Sequence, residues 1–298
     1  MTMKKYILTA LVAALLPVSL FAQESAALPF IRIDRSAITS AMGGTEALSP
    51  LYNPAAVPFR GSDVAFTFQN WAPGGLKSTN LNLMGGIKIG KRFAINVIGA
   101  YQKGQEYSLT DVTGKTGSSF APSDILAGGG LGFAITDFLS LGVNVKFAQS
   151  TIAANAKYSA IAGDAFVMFK MKGFYATAGV ASLGTPVKSG EESYPLPASA
   201  KVGVGYDAHF GTSAILVAAD TDVFFIGGLG LGLGAQYAWN DMVFVRAGFH
   251  VGSGKSPLPS YGSFGLGFKI VGIHLDASYI LGNAALGNTL CVGLGYAF

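Results

Sequence analysis

Leu290-Cys291-Val292-Gly293-Leu294-Gly295-Tyr296-Ala297-Phe298 alternates without a break: Leu290, Val292, Leu294, Tyr296 and Phe298 are large and apolar, and the four residues between them are small. A two-residue period is that of a β-strand, whose successive side chains point to opposite faces. One face of this strand is uniformly greasy. The alternation returns upstream: Ile273, Leu275, Ala277 and Tyr279 oppose His274, Asp276 and Ser278, and Phe264, Leu266, Phe268 and Ile270 oppose Ser263, Gly265, Gly267 and Lys269. It recurs at 243–251, 229–239, 200–206, 139–147 and 81–88, so it covers most of the chain after about residue 63.

Soluble sandwiches also contain strands with one greasy face, but their other face carries charge. Here the second face is mostly glycine and small polar residues, and the strands run roughly nine to twelve residues, the length of a tilted membrane-spanning strand. Composition agrees. Of 298 residues, 50% are apolar and only 12% are charged, against about 25% charged in soluble domains. No run after the N-terminus is long and apolar enough for a membrane helix. The short turns at Gly90-Lys91, Thr136-Asp137, 170–172, 209–212, Asn240-Asp241 and Val271-Gly272 alternate with expected longer loops near 72–78, 102–123, 149–155, 183–198, 220–227, 253–260 and 281–288. This is the rhythm of an all-β protein, a transmembrane antiparallel β-barrel of about fourteen strands spanning 63–298. An open sheet edge in hydrocarbon would leave costly unpaired amides, so the ring must close. Phe298, Tyr296, Tyr279, Tyr237 and Trp239 would supply aromatic girdles.

Met1 to Ala22, with Lys4 and Lys5 ahead of an apolar run, reads as a signal peptide (1–22) cleaved near Ala22, which directs the chain to the bacterial outer membrane. Its loss lowers the formal charge from +4 to about +2, which argues against nucleic acid as a partner. A ring of this size is too wide for its own small lumenal side chains to fill. The segment 23–62 lacks the two-residue period, holds a short helix signal from Ser36 to Met42 stopped by Gly43-Gly44, and is expected to form an N-terminal hatch or plug.

Within that segment, Arg35 to Gly44 followed by Leu51-Tyr52-Asn53-Pro54-Ala55-Ala56 resembles the hatch of FadL-like outer-membrane barrels and, in detail, the PorV/PorQ family. A second similar stretch runs from Leu183-Gly184-Thr185-Pro186 through Tyr194-Pro195-Leu196-Pro197 to Lys201–Tyr206. The resemblance implies a non-enzymatic outer-membrane protein serving type IX secretion or surface attachment. Asn53, Pro54 and Ala55 would be its hatch motif and Tyr194, Pro195, Leu196 and Pro197 an external loop. Its partners would be outer-membrane lipid and type IX secretion components or secreted cargo. The chain is shorter than many PorV proteins, with smaller expected external loops. The alternative is a FadL-like passage for hydrophobic small molecules, with a hydrophobic ligand in the barrel mouth. That reading requires apolar loop residues such as Phe120, Phe224 and Phe225 to converge on one cavity.

The remaining chemistry is sparse. Lys146, Lys201, Asp207, Arg246, His250, Lys269, His274 and Asp276 share the inward face and are expected to form a polar lumen network that keeps charge away from lipid. A hydrolase built on His274 with Asp276 or Ser278 is disfavoured, because same-face neighbours on one strand lie about 7 Å apart at the backbone. Gly254-Lys255-Ser256 lacks the first glycine of a phosphate-binding loop, and Pro257 blocks the helix such a loop needs. With three histidines and one cysteine at no ligand spacing, neither a metal site nor a cofactor is expected.

Overall fold

The computed structural model describes residues 26–71, 78–110, 114, 116–282 and 288–298. The expected signal peptide and most of the expected loops at 72–78 and 281–288 lie outside the described residues. The strands are β1 (Asp63–Trp71), β2 (Ser78–Ile89), β3 (Phe93–Lys103), β4 (Tyr107–Thr110), β5 (Thr116–Phe120), β6 (Ser123–Ala134), β7 (Leu139–Ala153), β8 (Ala156–Met171) and β9 (Phe174–Gly184). They continue as β10 (Val187–Ser189), β11 (Glu192–Tyr194), β12 (Ser199–Phe210), β13 (Ser213–Phe224), β14 (Leu229–Trp239), β15 (Val243–Ser253), β16 (Tyr261–Ile270), β17 (Ile273–Leu281) and β18 (Thr289–Ala297). Fourteen of them form one closed ring, β1-β2-β3-β6-β7-β8-β9-β12 and then β13 through β18 back to β1. β1 and β18 seal it antiparallel, from Asp63 opposite Ala297 to Asn70 opposite Leu290. The pairs β4–β5 and β10–β11 are separate hairpins at the loop end.

The alternation read from sequence sorts the faces. Leu266, Leu294 and Val145 are 62%, 56% and 62% exposed on the outside, while Cys291, Asp276 and Ser278 are buried inside. An outward band this apolar exceeds any patch a soluble monomer exposes, and lipid tails are the solvent that matches it. Phe93, Phe138, Phe174, Phe210, Trp239, Tyr296 and Phe298 stand exposed around the turn end, the girdle expected at a membrane interface. Tyr237 is exposed near the same end, whereas Tyr279 sits towards the loop end against Phe264. The turns are tight because their residues take left-handed backbone: Asn240-Asp241 and Lys172-Gly173 have positive φ at both positions, the geometry that matches strand twist.

Two expected loops are largely strand. β7 and β8 are 15 and 16 residues long and are joined by Ala154-Asn155 alone, so 149–155 is a hairpin tip rather than a loop. Thr151 and Ile152 suit a pleated edge better than a loop. β13 likewise runs to Phe224, which leaves only 225–227 of the expected 220–227 loop.

Residues 26–62 lie against the inward face of the ring. A 3₁₀ turn (Pro29–Arg32) leads to α1 (Ala37–Ala41), capped by the Ser36 hydroxyl, which accepts from the Ile38 amide at 3.2 Å. Gly43 and Gly44, at φ 69° and 78°, end it. The chain then turns through Asn53-Pro54-Ala55 into α2 (Val57–Arg60) and out at Gly61 to β1. The wall glycines make room for this path: a Cβ on Gly248 or Gly234 would strike the backbone of Met42, and one on Gly132 or Gly142 that of Pro54.

Candidate functional site

Charge crosses the lumen towards its loop end. Arg32, from the N-terminal segment, meets Asp222 of β13 at 2.6 Å, and Lys201 of β12 meets the other Asp222 oxygen at 2.8 Å. Glu46 lies 3.3 Å from the Lys201 ammonium, and Asp220 accepts from the Ala47 amide at 2.7 Å. The Tyr52 hydroxyl accepts from Arg32 at 3.3 Å, and its ring lies 5.7 Å from the Lys201 ammonium. Burial is the largest single influence and opposes the Arg32 charge, but Asp222, Tyr52, Glu46 and Asp164 together outweigh it and hold the guanidinium protonated. Beside this collar Lys146 pairs with Asp164 at 2.7 Å. Asp164 stands where the β8–β9 register slips and also accepts from the Ser182 amide at 2.8 Å.

Asp34 and Arg35 do not pair with each other by hydrogen bond. Asp34 accepts from the Ser36 amide and, at 2.6 Å, from the Thr39 hydroxyl. Burial, with Glu46 adding to it, pushes its carboxyl up to about 7. Arg35 donates to the carbonyls of Phe30, Ile31 and Ile33, and burial lowers it to about 10.

A second network lies toward the turn end. Arg246 donates to Asp276 and to Gln236, each at 2.6 Å. His274 Nδ1 is 2.6 Å from Asp276 and its Nε2 is 2.9 Å from Asp63. Same-strand neighbours thus do meet side chain to side chain, despite the backbone spacing that argued otherwise. Both ring nitrogens face carboxylates, which leaves neither to activate Ser278.

Of the expected lumen set, Lys146, Lys201, Arg246, His250, His274 and Asp276 are buried inside, with His250 stacked on Tyr261 at 5.0 Å. They form separate clusters rather than one network. Asp207 and Lys269 sit near the turns instead, where Asp207 pairs with Arg60 at 2.9 Å and Lys269 with the exposed Asp241 at 2.7 Å. The sequence reading missed Arg32, Glu46, Asp164, Asp220 and Asp222. The signal for the last three was available, since each is an acidic residue on the inward face of an otherwise apolar strand.

Asn53 is fully buried and ties the segment to itself and to the wall. Its amide donates to the Ala47 carbonyl at 2.7 Å and to Thr177 at 3.2 Å, and its oxygen accepts from the Ala55 amide at 2.9 Å. Ser140 donates to the Ala55 carbonyl at 2.6 Å, and Pro54 passes over Gly132. The stretch 194–197 is at the loop end but turns inward. Tyr194 bonds Glu192, the Pro195 carbonyl accepts from the Ala27 amide at 2.9 Å, and Leu196 and Pro197 are buried, with Leu196 packed among Leu28, Phe30 and Ile31.

Above the collar lies a cavity of about 920 Å³. Leu28, Phe30 and Ile33 form one side and Val187, Leu258 and Pro259 close it from the loops. Gln102, Asp124, Ser150 and Tyr158 add polar groups. Phe120, Phe224 and Phe225 do not converge on it. Phe224 is turned inward beneath the Arg32 guanidinium, the Phe225 amide donates to the Ala198 carbonyl, and Phe120 ends the outlying β4–β5 hairpin. A smaller cavity of about 310 Å³ opens among the turn-side network. It shares no lining residue with the first, and Arg32, Glu46, Lys201 and Asp222 line neither. Among the described residues no group of side chains could hold a metal ion.

Neither a family model nor a curated protein sequence matches the chain. Solved structures do. The toluene transporter TbuX of Ralstonia pickettii superposes with a TM-score of 0.60 at 12% identity, over 90% of this chain and 100% of that one. The monoaromatic hydrocarbon channel CymD gives 0.59 at 12% identity, over 90% and 98%. The toluene transporter TodX of P. putida gives 0.58 at 13%, over 88% and 98%. At such identities the likeness is one of fold: this chain folds as those hydrocarbon transporters do, along nearly its whole described length.

Proposed function

We propose that this protein is a non-enzymatic, FadL-like passage for hydrophobic small molecules in the bacterial outer membrane, with residues 23–62 as its hatch. The observation that carries the reading is the apolar cavity of about 920 Å³ at the loop end, floored by the N-terminal segment and underlain by a charged collar. A concave, largely apolar site of this size suits a small hydrophobic ligand. The apolar outer band and the shared fold of hydrocarbon transporters support the same reading. The decisive experiment is uptake of a radiolabelled monoaromatic hydrocarbon by cells with and without the gene. Slower accumulation in the deletion strain is expected, and equal accumulation would sink the proposal.

The PorV/PorQ-like role, in which type IX secretion components or secreted cargo are partners, has less support. In the stretch 183–206 that carries the resemblance, Leu196 and Pro197 are buried against the molecule's own hatch and offer little to a partner. Affinity capture from solubilised outer membrane, with no secretion component or cargo recovered, is the expected result.

A further inference from the structure

Four strands present their inward residues to the mouth cavity in a single row. Gln102 of β3 is paired with Asp124 of β6, Asp124 with Ser150 of β7, and Ser150 with Tyr158 of β8. All four line the cavity, and Asp124 hydrogen-bonds to Ser150. They make a polar rail along a chamber whose opposite side, Leu28, Phe30 and Ile33, is apolar. Among the described residues, Asp124 is the only charged one in that lining.

Among the described residues no cation answers it from within the cavity. Arg35 does not line the chamber; it shares a small neighbouring cavity with Asp124 and attracts its carboxylate from there, but its guanidinium is engaged with the carbonyls of Phe30, Ile31 and Ile33. Lys103, Lys157, Lys188 and Lys255 belong to the same end of the barrel but are exposed and do not line the chamber. A ligand carboxylate there would face Asp124 in a partly desolvated site, where like charges repel far more than in water. A hydroxyl or ammonium would instead donate to Asp124, a charge-assisted bond.

We infer that the mouth cavity selects apolar molecules bearing one hydrogen-bond-donating head, an alcohol, phenol or amine, and rejects carboxylates, with Asp124 as the specificity-determining residue. This rests on reading the cavity as the entry of a hydrophobic passage and adds a substrate class to it.

The test uses ligands with one body and different heads: butylbenzene, 4-butylbenzyl alcohol, 4-butylbenzylamine and 4-butylbenzoate. Each is titrated calorimetrically at neutral pH into the full-length protein in nanodiscs, and empty nanodiscs are subtracted. The alcohol and amine are expected to bind at least tenfold more tightly than the benzoate. Asp124→Asn should weaken the amine about tenfold and bring the benzoate to within a few fold of the alcohol. Butylbenzene should bind both proteins alike, which certifies that the variant is folded. Benzoate binding as tight as the alcohol, or an unchanged head-group order in Asp124→Asn, overturns the inference while butylbenzene binding keeps the passage standing. If none of the four binds, the passage reading itself fails and the inference with it.

Discussion

The mouth and the lumen directly beneath it are built from opposite materials. The mouth is roomy and mostly apolar, with a row of polar groups along one side, and its walls come from strand ends, loops and the 3₁₀ turn. The collar just below is close-packed and ionic, and every charge in it crosses between the N-terminal segment and the wall or between adjacent strands. The difference teaches where the barrier is. If the chain is the passage proposed above, an apolar molecule is at home in the first region and meets a desolvated ion cluster in the second, and that cluster would hold the proposed hatch shut.

The contrast breaks most sharply at Asp222, which serves both Arg32 and Lys201. Asp222→Ala leaves two buried cations short of their partner, a change that costs about 3–5 kcal/mol. The expected result is a large rise in ion conductance across planar bilayers, with a lower temperature of heat-induced unfolding in detergent. Unchanged conductance would place the barrier elsewhere. A smaller effect is expected where the segment touches wall backbone. Gly248→Ala drives a methyl into Met42 and Gly43 and should cost about 1–3 kcal/mol by overpacking. Gly262→Ala, near the loop end with open space around it, should stay within about 0.5 kcal/mol. Equal melting shifts for the two would mean that the segment does not press on the wall.

The smallest expected effect depends on pH. The Asp34 carboxyl is raised from 3.8 to about 7 in the folded chain, so its neutral form favours the docked segment. That contribution is complete below about pH 4 and is lost as the pH rises through about 7. Ser36 and Thr39 donate to the carboxyl, Glu46 repels its charge and Lys201 attracts it. Hydrogen exchange of the amides at 36–44, corrected for intrinsic rates, should therefore quicken several-fold between pH 5 and pH 8, and Asp34→Asn should flatten the dependence. A slope that survives in the variant would assign the titration to another group.

The barrel was legible because lipid imposes its demand on every second residue. Leu290 to Phe298 state that demand without ambiguity, and six of the expected turns are turns. The site was less legible because its pairs join residues far apart in sequence: Arg32 and Asp222 are 190 positions apart, and Asn53 and Thr177 are 124. The glycines at 232, 234 and 248 were read as small lumenal residues. Their reason, the passage of Met42 and Gly43 across them, requires the fold. The loop aromatics misled for a related cause. Phe224 is apolar and near a loop, but its partner is a guanidinium from the N-terminal segment, and the cavity's grease comes from Leu28, Phe30 and Ile33 instead.

The seam between β1 and β18 has a consequence for assembly. β1 emerges directly from the segment that lies inside the ring, and it pairs with β18, the last strand of the ring in chain order. The wall can be sealed only after that strand arrives, and threading residues 26–62 through an already finished cylinder would mean dragging Arg32 and Glu46 past a completed rim. The favoured order is therefore filling first and zipping second, with the stopper acting as the mould on which the cylinder is wrapped.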